Sequence, residues 1–160
     1  MKKLTQQTKK IINKIIYITV ATSSNGQPWN TPVYAVHDDK YNFYWISWKK
    51  SQHSKNISEN KKAFIVIYNS TRPLGTNILQ SVYIKAEAHE VNNGEELESA
   101  VGYLNKSENK KYKLKDFTGN NPKRIYKAIP KKFWLNAKSE SMVNRKTKEM
   151  RVEVKGIVEA

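Results

Sequence analysis

The sequence predicts an α+β, mainly β domain. An antiparallel sheet is closed or nearly closed into a small barrel, with short helices at its periphery. Three observations carry this. Five segments of strand length follow one another between residues 17 and 91 at hairpin-like spacing, most of them bounded by turn residues. Only short amphipathic stretches interrupt them, unlike the regular strand–helix alternation of a parallel sheet. A chain of 160 residues is long enough to bury one real core and too short for two ordinary ones, so one domain over 1–160 is expected.

Each element has its own reason. Residues 4–16 read as an amphipathic helix, with Leu4, Ile11, Ile12, Ile15 and Ile16 on one face and Lys9, Lys10 and Lys14 around it. That face suits a sheet or a second subunit better than a membrane. Residues 17–22 are rich in β-branched side chains and run into Ser23-Ser24-Asn25-Gly26, a hairpin signal because Asn and Gly accept the positive φ of tight turns. Residues 29–37 return; Pro32 within them has no amide hydrogen, which places it on an edge strand or at a bulge. Asp38-Asp39-Lys40 turns the chain into a third strand over residues 41–48.

Residues 51–60 read as a short helix with Ser51 as N-cap and Ile57 as apolar anchor. Residues 64–68 are a continuous apolar run of strand length. Residues 82–91 set Val82, Ile84, Ala86 and Ala88 against Tyr83, Lys85, Glu87 and His89, the alternation of a half-buried strand. In residues 94–105, Leu97, Ala100, Val101 and Leu104 share a helical face. Glu95, Glu96 and Glu98 fall at its start, where the helix dipole favours negative charge. A basic loop covers residues 106–115. Extended segments at 125–137, broken by Pro130, and at 149–157 close the chain.

Composition excludes several chemistries. With no cysteine there is no disulfide, thiolate metal site, iron–sulfur cluster or cysteine nucleophile. His37, His53 and His89 are widely spaced and form no metal-binding motif, so no metal is expected. No G-x-S-x-G elbow, G-x-G-x-x-G fingerprint or P-loop is present. The Asn-x-Ser/Thr sequons at Asn56, Asn69 and Asn105 are chance matches in an Asn-rich chain. The longest apolar stretch, residues 15–21, is too short to cross a membrane, and Lys9, Lys10, Asn13 and Lys14 interrupt any secretory signal. A cytoplasmic protein is expected. The formal net charge is +15, from 29 Lys+Arg against 14 Asp+Glu. Only Arg72, Arg124, Arg145 and Arg151 are the Arg that bidentate phosphate recognition favours.

Residues 43–57 carry the chemistry. Hydroxyls at Ser47, Ser51 and Ser54, the amide of Gln52, the imidazole of His53 and the ammoniums of Lys49, Lys50 and Lys55 gather around a strand-to-helix junction. Two readings fit. Free backbone N–H groups at a helix start bind phosphate; alternatively Ser51 caps the helix and the lysines are solvated.

The order of Ala21-Thr22, Gly26, Pro28, Thr31-Pro32-Val33, Phe43-Tyr44-Trp45-Ile46-Ser47, Ser51-Gln52-His53-Ser54-Lys55-Asn56-Ile57 and residues 82–88 resembles the pyridoxamine 5′-phosphate oxidase-like FMN-binding split barrels. The resemblance covers residues 10–137 and implies an antiparallel split barrel that forms a homodimer, with FMN held at the subunit interface. It implies that Thr31, Pro32, Val33, Tyr34 and Val36 line the flavin from the second strand and that Ile46 and Ser47 approach it from the third. Ser51, Gln52 and His53, with Ser54 and Lys55 beside them, fall where the family carries a Ser-Arg-Lys phosphate cluster. Gln52 and His53 depart from that pattern, and Lys49, Lys50 and Lys55 are the nearby sources of charge. Trp134 is similar to a family tryptophan that reaches the flavin across the interface, with a core or lid role as its alternative.

The activity implied is oxidoreductase chemistry at the flavin, on a small-molecule substrate. One alternative is a flavin, deazaflavin or haem carrier or sensor, with His53 or His89 as haem ligand. Another is a basic nucleic-acid-binding barrel, less favoured, using Lys106, Lys110, Lys111, Tyr112, Lys113 and Lys115. True pyridoxamine phosphate oxidases end in an Arg-x-His motif that contacts the vitamin phosphate. Here residues 144–151 read Asn-Arg-Lys-Thr-Lys-Glu-Met-Arg, as in the shorter general-stress-type relatives. Pyridoxamine phosphate is therefore expected not to be oxidised. Oxygen consumption at substantial turnover on adding it to FMN-loaded protein would contradict this.

Overall fold

Tyr17–Ser24 (β1) and Gln27–Tyr34 (β2) fold back on each other through Asn25 and Gly26, whose φ angles are 49° and 75°. The Asn-Gly pair supplies that left-handed backbone at little steric cost. Pairing runs from Ser24↔Gln27 to Tyr17↔Tyr34, so the two-residue turn sets which side chains face inward. The computed structural model describes residues 2–71, 81–92, 94–136 and 150–157. Residues 144–149 of the tail lie outside the described residues, as do the ends of the expected segments 125–137 and 149–157.

The remaining elements are helix α1 (Lys2–Lys14), β3 (Val36–His37), β4 (Phe43–Trp48), helix α2 (Gln52–Glu59), β5 (Lys62–Tyr68), β6 (Ser81–Glu90), helix α3 (Gly94–Glu108), a 3-10 turn (Leu114–Phe117), β7 (Lys123–Asn136) and β8 (Arg151–Val154). They build one antiparallel sheet of eight strands, ordered β2-β1-β5-β6-β7-β4-β3. Along one edge β7 pairs with β6; along the other it pairs first with β4 and then with β8. The strands at the two ends of that order, β2 and β3, are successive in the chain and meet at Ala35. The run 27–37 thus leaves β1 and joins β4, and the sheet curls round until its ends meet. The Ala35 amide pins this corner by donating to the Ile16 carbonyl at 3.0 Å. This is the split-barrel form of the sheet.

Alternation fills the interior. Val20, Ile65, Ile84 and Trp45 are wholly buried and pack with Tyr126 and Leu135, joined by Ile11 and Ile12 of α1 and by Ile57 of α2. A second cluster lies on the outside of the barrel wall, where Leu97, Ala100, Val101 and Leu104 of α3 cover Val36, Tyr44, Ile125 and Phe117. Tyr44 and Ile46 face this outer side while Phe43 and Trp45 face inward, which is why residues 43–46 are apolar without a break.

The structure corrects three expectations. Helix α1 stops at Lys14, so Ile15 and Ile16 lie past it. Ile16 is 52% exposed, because the chain there is already extended to meet Ala35. Pro130 does not break β7: the register shifts between Lys85 and Ala86, Lys131 becomes the extra residue of a bulge, and pairing resumes on both sides. α3 runs on to Glu108, taking in the first part of the basic stretch. Pro32 sits on β2, a strand paired only with β1, as its missing amide predicts. Among the described residues no helix is long and apolar enough to cross a membrane.

Ile65 stands in mid-sheet, opposite Val20 on β1 and Ile84 on β6, with none of its surface exposed. Ile65→Ala is expected to cost about 2–5 kcal/mol, since the cavity cannot collapse between two paired strands. Urea unfolding should show a lower midpoint at unchanged slope; a loss under ~1 kcal/mol would mean that the interior is not packed around this residue.

Candidate functional site

The corner at Ala35 leaves a gap in the wall. Because β1 and β4 pair with different halves of the run 27–37, β2 and β4 diverge from the corner without a ladder between them. The slot so formed has a volume of about 1020 Å³. Thr31, Pro32, Val33 and Tyr34 of β2 line it, as do Ile46 and Ser47 of β4 and His53 of α2. Alternate backbone groups on the free edge of β2 are not used by β1 and are available to a ligand.

Ser47 is the polar centre of the slot. Its Oγ lies 2.7 Å from His53 Nε2 and 3.1 Å from Ser51 Oγ. Ser51 holds the N-cap position of α2 but does not cap it with its side chain. Its hydroxyl donates instead to the Trp48 carbonyl (2.9 Å) and lies 2.8 Å from Ser54 Oγ, from which it can accept, a correction to the simple capping reading. His53 is buried, which lowers its pKa from the ordinary 6.5 and leaves the ring neutral near pH 7. Behind this group the buried Tyr126 bonds to Ser54 and Glu90, and Glu90 pairs with Arg124 at 3.2 Å. Arg124 in turn donates to the carbonyls of Gly119 (2.8 Å), Lys123 (2.8 Å) and Asn121. One largely buried chain of polar groups thus runs from the slot to the loop before β7.

That loop and the one after α3 form the rest of the lining: Glu108, Lys110, Tyr112, Asp116, Phe117, Asn121, Pro122 and Lys123, with Tyr17 from β1. Asn105 clasps Tyr112 at both backbone groups, through its Nδ2 at 3.0 Å and its Oδ1 at 2.7 Å, and the Tyr112 ring packs edge-on against Phe117. Sequence reading placed none of these residues at the flavin site, and named Lys110 and Tyr112 only for the nucleic-acid alternative. Their signal was two aromatics, Tyr112 and Phe117, inside a stretch otherwise as basic as a solvated loop.

Of the residues singled out from sequence, Thr31, Pro32, Val33, Tyr34, Ile46, Ser47 and His53 share the slot, and Ser51 touches Ser47 beside it. Ser54 lies buried behind His53, and Val36 is buried under α3. Gln52 bonds along its own helix to Asn56 at 2.8 Å, and Lys55 is exposed on α2. Trp134 does not line the slot of its own chain; it stacks on Phe64, with ring centroids 6.2 Å apart, on the outer face of the sheet. His37 bonds to the Asp38 carbonyl and His89 to Glu96. Among the described residues no group of three metal-binding side chains occurs. The volume, the free strand edge and the paired apolar walls fit a flat heteroaromatic group with a polar rim; the α2 residues fit a phosphate less well, since neither Gln52 nor a neutral His53 brings charge.

A family model described as pyridoxamine 5′-phosphate oxidase matches residues 4–137. No curated protein matches the sequence. Among solved structures, the haem storage protein HutZ of Vibrio cholerae is 13% identical, with a TM-score of 0.66 over 81% of this chain and 92% of its own. An FAD-binding protein of Mesorhizobium loti is 16% identical, with a TM-score of 0.59 over 80% and 90%. ChuZ of Campylobacter jejuni is 13% identical, with a TM-score of 0.71; the match covers 96% of this chain and 60% of ChuZ. At these identities the likeness is one of fold.

Burial of His53 has a consequence for stability. Its folded pKa lies below the 6.5 of an unfolded chain, so the unfolded state binds more protons. The stability from this neutral ring is fully present above pH 6.5 and is lost as pH falls through the folded pKa. For Glu96, burial alone would raise the pKa, but Lys127 and His89 hold it below 4.5, so its loss begins only at lower pH. Denaturant unfolding between pH 7.5 and 5 should show falling stability in the wild type and a flatter profile in His53→Gln. Identical profiles would contradict a buried neutral His53.

Proposed function

The chain belongs to the pyridoxamine 5′-phosphate oxidase family, and from that premise we propose that it is an FMN-binding oxidoreductase that works as a homodimer and holds its flavin in the slot between β2 and β4. The observation that carries this reading is the slot itself, about 1020 Å³ in volume and bounded on one side by a strand edge that has no partner among the described residues. A flavin ring presents flat apolar faces and a rim of hydrogen-bond donors and acceptors. Val33 and Ile46 suit the faces, and the edge of β2 suits the rim. When bound, FMN supplies the hydride and electron transfer. The residues of this chain position it: Ser47, steadied by His53, offers a hydroxyl at the slot, while Tyr112 and Phe117 exclude water from it.

Dimerisation is supported by the outer face of β5, β6 and β7. Phe64, Tyr83 and Trp134 cluster there, half-buried and with no covering helix among the described residues, and a second copy would bury them. Trp134 then belongs to the surface that meets the partner. Haem is less well served, because the one histidine lining the slot has its Nε2 bonded to Ser47.

A visible spectrum of the purified protein, taken before and after adding FMN and removing the excess, tests the reading. Flavin bands are expected to co-elute with a dimer and to bleach on adding NAD(P)H. Ile46→Trp, which fills the slot, should lower flavin retention at least about tenfold while the fold is kept. A colourless protein that does not retain FMN would overturn the proposal, and a Soret band after haem addition would replace flavin by haem.

A further inference from the structure

We propose that the ammonium groups of Lys123 and Lys110, and no residue of α2, hold the phosphate of the ligand in the slot; this rests on the flavin reading of that slot. The inference comes from asking where each nearby cation goes. Arg124 is committed to Glu90 and to three backbone carbonyls. Lys49 and Lys50 line a different hollow, beside Trp48, Gly119 and Asn120. Lys55 is exposed on α2 and does not line the slot. On α2 itself, Gln52 is bonded to Asn56 and His53 to Ser47, so the end of the slot formed by that helix is neutral.

Two lysines do line the slot, both from the opposite wall. Lys123 opens β7 directly across from Trp48, one pair beyond Ser47↔Arg124, so strand alternation turns its side chain to the face of Trp48 and of Ile46, which lines the slot with it. Its Nζ lies 5.9 Å from the Trp48 ring centre, and its backbone is fixed by Asn121 Oδ1 at 3.0 Å. Lys110 sits in the loop that the Asn105–Tyr112 clasp holds in place. Among the described residues neither ammonium has a carboxylate partner, although two carboxylates share the slot. Both are occupied within their own loop: Glu108 accepts from the Tyr112 hydroxyl at 2.9 Å, and Asp116 from the Lys113 amide at 2.8 Å. The lining carries two ammoniums and two carboxylates, but no ion pair joins them among the described residues, so the donors of both lysines are open to an anion. Because both side chains are solvated, their pull should weaken with salt.

Phosphate on a cofactor and an anionic group on a second ligand have the same chemistry, so the test uses FMN and riboflavin, which differ only by the phosphate. Each is titrated by flavin fluorescence against the wild type, Lys110→Gln, Lys123→Gln, the double variant and Lys55→Gln, after near-ultraviolet circular dichroism has shown that the variants are folded. The wild type should prefer FMN by about tenfold or more, the scale of a charge-assisted contact. The double variant should lose that preference with riboflavin affinity unchanged, and Lys55→Gln should behave as wild type. Three outcomes overturn the proposal. If FMN binds and the double variant keeps the preference, the lysine assignment fails and the flavin reading stands. If FMN and riboflavin bind the wild type equally, the phosphate is not held, and the lysines serve an anion on a second ligand or none. If neither flavin binds, the flavin reading fails, and the assignment with it.

Discussion

Nearly everything in this molecule follows from the change of partner made by one run of chain at Ala35. A strand that stayed with β1 throughout would leave an open sheet with two long edges, whereas one that moves to β4 brings those edges together. A single backbone hydrogen bond, from Ala35 to Ile16, marks the point of exchange. The same exchange closes the interior and prevents β2 and β4 from pairing above it. Closure and opening are thus one geometric fact: the barrel acquires a core and a slot by the same bend. Loops then need only wall off the slot, which is what the segments after α3 and before β7 do.

The buried polar chain beneath the slot gives those loops a fixed relation to the barrel. Ser47, His53, Ser51 and Ser54 hand hydrogen bonds on to Tyr126, Glu90 and Arg124, and Arg124 gathers three carbonyls of the loop before β7. Such a chain is costly when a member is missing, because buried polar atoms lose their partners. Its neutrality at the α2 end matters as much as its continuity. His53 is buried, neutral and edge-on to Tyr126, so no second cation is buried in this chain with Arg124.

How much of this was legible beforehand depends on the range of the interaction. Turn chemistry at Asn25-Gly26, the alternation through β6 and the four apolar residues of α3 act locally, and each had a local sequence pattern. The edge position of β2 was one of the two readings that Pro32 left open, the other being a bulge such as Pro130 occupies in β7. The bulge at Lys131 was not, since it depends on the register of β6 against β7. The role of residues 108–123 as a wall was hidden for a related reason. Their lysines resemble a solvated loop, and what brings them to the slot is Asn105 and Arg124, each bonding to backbone rather than to a recognisable side-chain partner. The placement of Trp134 on the outer face follows from strand alternation, with Phe133 and Leu135 buried on either side of it.

The joining of α1 to residues 150–157 sets an order of events during synthesis. Thr5 donates from α1 to the carbonyl of Lys155, and Ile11 and Ile12 pack in the same cluster as Val154 and Ile157. Helix α1 is made well before residues 150–157, yet the surface it covers is completed only when they have followed. At about 5–20 residues per second, its isoleucines wait roughly 7–30 seconds for that partner. During that interval the nascent chain carries a greasy helix and an unsealed barrel. The lysines that crowd the other face of α1 give this stretch the charge that keeps such a waiting segment from clinging to its neighbours.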